Sequence, residues 1–207
     1  MLPPGVHEEL AATGLGTGAA LATEARLAPA GPGEAAAIAS MPGRRRSEFL
    51  AGRLAARRAL RSVGLDCGDV PRAGRRPLFP PGRAASISHS AGVAVAVARA
   101  PGHDVPLGCD LELRPLPAGA APLVLRADEE HLLRAWPVTS LFSAKEAAWK
   151  ALAADAVGTT LRDLRAGQDG PGFLRVEARA DPARVVRVRV VAVGPGVFSV
   201  VLGGDAG

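Results

Sequence analysis

Apolar residues recur at helical spacing in two long segments and alternate with polar residues in most of the others. The pattern predicts helices over 44–63 and 139–153, and a shorter helix that begins at Asp128. Alternation between Gly, Pro and Asp turns predicts strands at 19–26, 85–88, 93–99, 107–113, 159–165, 173–180, 185–193 and 197–202. Helices mixed with antiparallel hairpins, without regular strand–helix–strand alternation, predict a fold of the α+β class.

One lysine interrupts the apolar side of the second helix. Lys145 projects into the middle of the apolar arc that contains Leu141 and Ala148. An ammonium in that position must extend to solvent or meet an anionic partner. Glu146 and Lys150 lie together at the edge of the arc, where a pair spaced by four residues is ordinary on an exposed helix. Since these two lysines are the only ones in the chain, a functional role and a structural role both stay open.

Two carboxylates share one side of the predicted strand 107–113. Asp110 and Glu112 are two positions apart, so their side chains point to the same face. Like charges at this distance repel unless a cation or a proton lies between them. Mg²⁺ suits such a pair, because it takes carboxylate, phosphate and water oxygens as ligands. The alternative is an edge strand with an acidic, solvent-facing side.

Two further patterns are less specific. Ser88 and His89 stand where a predicted strand ends and the turn of a hairpin begins, and a lone histidine there is more often structural than functional. The first helix carries a basic stripe, which in most helices faces solvent. The stripe consists of Arg46, Arg53, Arg57 and Arg61.

The composition limits the classes of partner. The 207 residues include 25 basic and 20 acidic ones, a formal net charge of +5, which favours an anionic partner. A GC-rich coding sequence also enriches arginine, so the charge alone does not identify that partner. Aromatic residues make up 3% of the chain and tyrosine is absent, which argues against the stacking surfaces that single-stranded nucleic acid needs.

The cysteines and the apolar segments indicate the cellular compartment of the protein. Cys67 and Cys109 have no zinc or disulfide spacing, so a reducing compartment is expected. The start of the sequence has no basic and apolar leader, and no apolar run approaches the roughly 20 residues that span a bilayer. We therefore expect a cytoplasmic protein without a membrane-spanning segment.

Four blocks, taken in order, resemble one family. They are GRLAARRAL (52–60), SISHSAG (86–92), GCDLE (108–112) and FSAKEAAWKAL (142–152). The last matches the (F/W)-S-x-K-E-x-x-x-K block of the 4′-phosphopantetheinyl transferases of the Sfp/EntD type nearly residue for residue. One block alone is weak, but four in the correct order are specific, so the chain is identified as resembling this family.

The resemblance implies an architecture and a reaction. The fold would be two similar α+β lobes related by a pseudo-two-fold axis, at 1–104 and 105–207, with coenzyme A in the cleft between them. The enzyme would move the 4′-phosphopantetheine arm of coenzyme A to a serine of an apo acyl or peptidyl carrier protein and release 3′,5′-ADP. Relatives with both lobes in one chain act as monomers, and the EntD-like first block favours siderophore or other secondary-metabolite pathways.

The resemblance also implies roles for the carboxy-terminal motif residues. Asp110, Glu112 and Glu146 would bind one Mg²⁺, for which Mn²⁺ is an alternative. Glu146 would accept the serine proton, directly or through a metal-bound water, and Lys150 would stabilise the departing phosphate. Lys145 would either contact the cofactor or order the helix against it.

In the amino-terminal lobe the resemblance implies contacts to coenzyme A. Arg53 and His89 would meet its 3′-phosphate, with Ser88 beside them. Arg76 would meet the adenylate portion, and the adjacent Arg75 competes for that role.

The sequence disfavours two other classes of function. A basic nucleic-acid-binding module is disfavoured by the scarcity of aromatic residues and leaves the pair of carboxylates unexplained. A transferase relative that keeps the fold but acts only as a binding partner is disfavoured by the retention of Asp110, Glu112, Glu146 and Lys150.

Overall fold

The computed structural model describes residues 4–74, 76–103, 106–152 and 160–202. The chain forms two compact units, Met1–Asp104 and Val105–Gly207, and each is described by itself. Within the described ranges, no helix combines the length and the apolar character that crossing a membrane would require.

The first unit is built on an antiparallel sheet of three strands in the order β1-β5-β4. Its helices are α1 (Pro4–Ala12), α2 (Pro32–Ile38) and α3 (Gly43–Ser62). Its strands are β1 (Leu15–Leu21), β4 (Ala85–Ser90) and β5 (Val93–Arg99), with a short ribbon of β2 (Arg72–Ala73) and β3 (Arg76–Pro77).

Small residues bring α3 close to the sheet. Ala55 and Ala59 are fully buried on the helix, and they face Gly16 and Gly18 of β1. A Cβ on Gly18 would collide with the carbonyl of Ala55, so a larger residue there would push the helix away. The core of this unit therefore depends on close backbone approach as well as on the buried leucines of α3.

The hairpin of β4 and β5 turns at Ala91 and Gly92, whose φ angles are 50° and 80°. Two successive residues with positive φ are typical of the tight turns whose twist matches that of the strands. Because β4 continues to Ser90, His89 lies within the strand. The expectation that the strand ends at residue 88 and the turn begins at His89 was therefore wrong.

The second unit packs one long helix on an antiparallel sheet of five strands in the order β6-β10-β9-β8-β7. Helix α4 (Ala121–Val124) and α5 (Val138–Leu152) are joined by a 3-10 helix, Ala127–Arg134; two shorter 3-10 turns are Ala118–Ala120 and Leu161–Asp163. The strands are β6 (Cys109–Glu112), β7 (Leu164–Gln168), β8 (Phe173–Ala178), β9 (Asp181–Val193) and β10 (Gly196–Val201).

The strand register decides which side of the sheet carries the acidic pair. Asp110 is opposite Ser199, and Glu112 is opposite Val197, which belongs to the core formed with α5. Since side chains alternate along a strand, Asp110 and Glu112 both lie on the side that faces α5. This side of the sheet therefore carries the acidic pair.

The α+β class is confirmed by two antiparallel sheets with packed helices. The helix predicted over 44–63 is observed as Gly43–Ser62, and the second long helix as Val138–Leu152. The first strand lies earlier than predicted, at Leu15–Leu21. Helices α1 and α2 were not predicted, because their alanine- and glycine-rich sequences lack a strong apolar period. The predicted helix end at residue 153 and strand start at residue 159 lie outside the described residues.

Candidate active site

Arg53 is held inside the first unit by a backbone carbonyl and an aromatic ring. Its side chain is largely buried, its Nε donates to the carbonyl of Val70 at 2.8 Å, and its guanidinium lies 4.2 Å from the centre of the Phe49 ring. Burial lowers the pKa of Arg53 to about 10. The group is still cationic at neutral pH, so α3 carries a buried positive charge at this position.

The basic stripe of α3 does not face solvent as a whole. Arg53 and Arg57 are buried, at 6% and 7% exposure, whereas Arg46 and Arg61 are exposed. Arg57 is neutralised by Glu34, whose carboxylate lies 2.6 Å from its NH1. The general expectation of a solvated stripe was therefore wrong for these two arginines, because acceptors from distant segments cover them.

Ser88 and His89, adjacent residues of β4, point to opposite sides of the strand. Ile87 faces α3, since a Cβ on Gly52 would lie 3.1 Å from Ile87 Cγ2. Alternation then puts His89 on the side of α3 and Ser88 on the opposite side. His89 is exposed and Ser88 is buried. Their side chains therefore face opposite ways, and the contact of Ser88 with a ligand at His89 stays a prediction.

Arg76 is exposed at the start of β3, where it is opposite Ala73 in the short ribbon. A cation there is accessible to an anionic ligand. The competing candidate, Arg75, lies outside the described residues.

In the second unit, Lys150 joins two of the sequence blocks. Its Nζ donates to Asp110 Oδ1 at 2.9 Å and to the carbonyl of Cys109 at 2.8 Å. Gly108 makes this approach possible, because any Cβ there would collide with the Ala147 carbonyl of α5. Burial disfavours the charged ammonium, but Asp110, Cys109 and Glu146 together outweigh burial and raise the pKa of Lys150. Lys150 therefore remains a cation beside Asp110.

Glu146 lies one helical turn before Lys150 and is half-buried. Burial raises the pKa of its carboxyl; Lys150 works against that rise, and the negative charge of Asp110 adds to it. A carboxylate with a raised pKa is a better proton acceptor than an ordinary surface glutamate. Glu146, Lys150 and Asp110 thus form an electrostatically coupled group on the side of the sheet covered by α5.

Three carboxylates are the candidate ligands for a divalent cation: Asp110, Glu112 and Glu146. Among the residues that the structure describes, no three His, Cys, Asp or Glu side chains are grouped closely enough to hold a metal ion. Asp110 and Glu146 nevertheless interact, and Glu112 lies on the same side of β6. Mg²⁺ commonly takes one or two carboxylates and completes its shell with substrate and water oxygens, so this set fits that ion in its chemistry.

Lys145 has a partner that the sequence did not identify. It is fully buried, and its Nζ lies 2.7 Å from Glu129 Oε1, 2.9 Å from the carbonyl of Val124 and 3.1 Å from that of Leu164. An ammonium has three donors, and three acceptors surround it. Of its two predicted roles, ordering the helix fits this arrangement, and direct contact with a cofactor does not.

Glu129 was interpreted from the sequence only as an acidic residue in the first turn of a helix. It also accepts the N–H of Ala166 at 2.8 Å and Arg179 NH2 at 2.9 Å. Burial lowers the pKa of Lys145, and Glu129 counteracts that fall. Only the packing of the 3-10 helix against α5 brings these residues together, so no sequence pattern could have paired them.

Comparisons with known proteins agree with the motifs. Residues 33–99 match the model of the 4′-phosphopantetheinyl transferase N-terminal domain, a range that contains Arg53, Arg76 and His89. Enterobactin synthase component D from Salmonella typhi and that from Salmonella typhimurium are each 40% identical to the chain over 119 residues. The match covers 52% of this chain and 48% of either relative, so the chain spans about half the length of these proteins. The chain is thus similar to 4′-phosphopantetheinyl transferases in the part matched by the N-terminal domain model, and to enterobactin synthase component D over about half of its length.

Proposed function

We propose that the protein transfers the 4′-phosphopantetheine arm of coenzyme A to a serine of an apo acyl or peptidyl carrier protein and releases 3′,5′-ADP. The observation that carries the proposal is the 2.9 Å contact between Lys150 and Asp110. It joins the two motif blocks that contain the acidic residues, and it leaves Glu146 coupled to both partners. Because the relatives are components of enterobactin synthase, carriers of siderophore or other secondary-metabolite synthases are the first to test.

In the first unit, Arg53 and His89 are proposed to bind the 3′-phosphate of coenzyme A. Arg53 is anchored through Nε, and its other two guanidinium nitrogens donate no hydrogen bond within the described chain. A guanidinium with free donors in a desolvated place suits a phosphate. His89 is exposed on the side of β4 that faces α3, the helix that carries Arg53. Arg76 is proposed to bind the adenylate portion of coenzyme A.

The transfer forms a bond between the serine oxygen and the phosphorus that bears the pantetheine arm. The bond from that phosphorus to the oxygen of the adenosine phosphate breaks, and 3′,5′-ADP leaves. Glu146 accepts the serine proton, and the Lys150 ammonium stabilises the negative charge on the leaving phosphate. Asp110 and Glu146, with Glu112 beside them, would hold Mg²⁺ or Mn²⁺. When bound, the cation would neutralise charge on the pyrophosphate.

The proposal includes the two-lobe architecture of the family. Each unit packs one long helix against an antiparallel sheet, α3 in the first and α5 in the second, which supports a pair of similar lobes. The first unit would bind the nucleotide, and the second would carry the metal ligands and the catalytic helix. We propose that the chain acts as a monomer in the cytoplasm, where coenzyme A is available.

The experiment is a mass measurement. The full chain is incubated with coenzyme A, Mg²⁺ and purified apo carrier proteins of several classes, and each carrier is weighed before and after. A gain equal to one phosphopantetheine on a carrier supports the proposal. Glu146→Gln should abolish the gain, whereas Glu130→Gln, at an exposed acid of the same unit, should keep it. No gain on any carrier overturns the proposed function.

A further inference from the structure

A buried acid that belongs to none of the four motif blocks is linked to Arg53 by hydrogen bonds through Val70. Glu34, in the first turn of α2, is fully buried. Its Oε1 accepts Arg57 NH1 at 2.6 Å and the N–H of Val70 at 3.0 Å, and its Oε2 accepts the N–H of Ala30 at 3.0 Å. A carboxylate buried this deeply is retained only where its oxygens are satisfied, and three donors satisfy it here.

The segment around Val70 and the start of α2 hold each other reciprocally. While Glu34 accepts the N–H of Val70, the neighbouring Asp69 accepts the N–H groups of Gly33 and Glu34 at 2.7 and 2.8 Å. Those N–H groups belong to the first turn of a helix, where no partner exists within the helix itself. Bonds in both directions fix this segment against α2.

Val70 connects Glu34 to Arg53. Its N–H is bound by Glu34, and its carbonyl accepts Arg53 Nε at 2.8 Å. Val70 is itself fully buried, so it has little room to shift once both groups are bound. A displacement of Val70 would move the acceptor that sets the direction of the Arg53 guanidinium.

A purely structural explanation of Glu34 is that it neutralises Arg57. That explanation accounts for the 2.6 Å ion pair, but it does not require the bond from the same oxygen to Val70. It also leaves the Asp69 bonds to α2 without a purpose beyond local folding. The arrangement as a whole holds in place the residue that supports Arg53.

We propose that Glu34 is a positioning residue for the 3′-phosphate: it fixes Val70, and the carbonyl of Val70 aims the Arg53 guanidinium at the phosphate. The inference rests on the proposed function, in which Arg53 binds the 3′-phosphate. Glu34 itself does not touch the ligand, so its loss should weaken recognition of that phosphate and leave the transfer step intact.

The test compares two nucleotides that differ only in the 3′-phosphate. Calorimetry on the full chain measures the affinities for 3′,5′-ADP and for 5′-AMP, and the ratio of the two affinities reports the 3′-phosphate contact. Arg53→Ala should lower the ratio about tenfold, the loss expected for one charge-assisted hydrogen bond. Glu34→Gln keeps an oxygen for Val70 and should lower the ratio less than a change that removes both oxygens.

A double variant avoids an unpaired buried charge. Glu34→Leu alone would leave Arg57 uncompensated, whereas Glu34→Leu with Arg57→Met replaces the ion pair by apolar side chains, a change that folded proteins often tolerate. This variant should lower the affinity ratio at least about threefold with the affinity for 5′-AMP unchanged. With coenzyme A as substrate, KM should rise and kcat should stay as in the parent.

The matched control is Glu24→Ala. Glu24 also pairs with an arginine of α3, Arg58 at 2.9 Å, but the pair is on the exposed surface and Glu24 makes no bond to Val70. Its affinity ratio should equal that of the parent. If the folded double variant also keeps the parental ratio while Arg53→Ala loses it, the inference is overturned and the proposed function stands. A parent that does not distinguish the two nucleotides overturns the assignment of Arg53, and the inference with it.

Discussion

Lys145 Nζ lies 2.7 Å from Glu129 Oε1, and both side chains are completely buried. The pair joins α5 to the 3-10 helix before it, and the ammonium also binds two backbone carbonyls. Glu146 and Lys150 are on the same helix as Lys145. At Ala147, between them, the helix backbone closely approaches Gly108. The buried pair therefore fixes the helix that carries the proposed catalytic residues.

Removing the ammonium should destabilise the protein. Lys145→Ala leaves Glu129 with a buried charge that has lost one partner, and it strips two carbonyls of their donor, so the free energy of unfolding should fall by about 3–5 kcal/mol. Urea denaturation measures the change. Arg134→Ala, at an exposed cation of the 3-10 helix, is the control and should be nearly neutral. Parental stability in Lys145→Ala would contradict the structural role.

The sequence predicted the scaffold of the second unit well, because its signals are local. The i and i+2 spacing of Asp110 and Glu112 and the helical period around Lys145 each depend on a few adjacent residues. Two features could not be predicted from local signals. The side of the sheet that the acids occupy depends on the register of β6, and the contact of Lys150 with Asp110 depends on the close approach at Gly108. The resemblance brought Asp110 and Lys150 into one site, whereas the residue pattern alone left both with ordinary explanations.

Two buried acids, Glu34 and Glu129, were not revealed by the sequence. Glu129 looked like a helix-start acid, and Glu34 stood in an Ala- and Gly-rich segment with no apolar period. Their partners, Lys145 and Arg57, come from other elements, so only tertiary packing pairs them. For the same reason Arg53 and Arg57 were expected on a solvated stripe, although segments remote in sequence bury them.

Lys150 should matter more for transfer than for stability. Lys150→Ala removes the cation proposed to stabilise the leaving phosphate, and loss of one such donor costs roughly 100-fold in kcat. Lys150→Arg keeps the charge but presents a wide planar group in place of a compact one, so it should recover only part of the rate. Single-turnover transfer to an apo carrier measures both variants. Parental kcat in Lys150→Ala would contradict the proposed role.

Stability should fall in acid, partly through Asp128. The hydrogen bonds from Arg179, at 2.8 and 3.0 Å, lower the pKa of Asp128 below its ordinary value of about 4. A carboxyl with a lower pKa in the folded state stabilises that state above the unfolded pKa, and this contribution is lost as the pH falls through the folded pKa.

The free energy of unfolding, measured from pH 6 down to about pH 2, should therefore decrease less steeply in Asp128→Asn than in the parent. Asp66→Asn is the control, because Asp66 is almost fully exposed and lies 3.8 Å from Arg61. It should follow the parental slope. A slope in Asp128→Asn as steep as that of the parent would show that the Arg179 bonds are not linked to folding.

Gly18 should not tolerate even a methyl group. A Cβ there would collide with the carbonyl of Ala55 and lie 2.5 Å from the N of Ala59, and these backbone atoms of α3 cannot turn aside as a flexible side chain could. Gly18→Ala should therefore push α3 from β1 and lower the free energy of unfolding by about 3 kcal/mol. Gly5→Ala is the matched control: it places the same methyl at an exposed position of α1, where Gly5 has open space around it within 4 Å, and alanine favours a helix. Thermal denaturation should give a lower Tm for Gly18→Ala and an equal or higher Tm for Gly5→Ala.

Equal stability in both variants would mean that the close contact between α3 and β1 does not constrain this unit. Because Arg53 is on the same helix, the displaced α3 should also weaken binding of 3′,5′-ADP, a loss that Gly5→Ala should not cause.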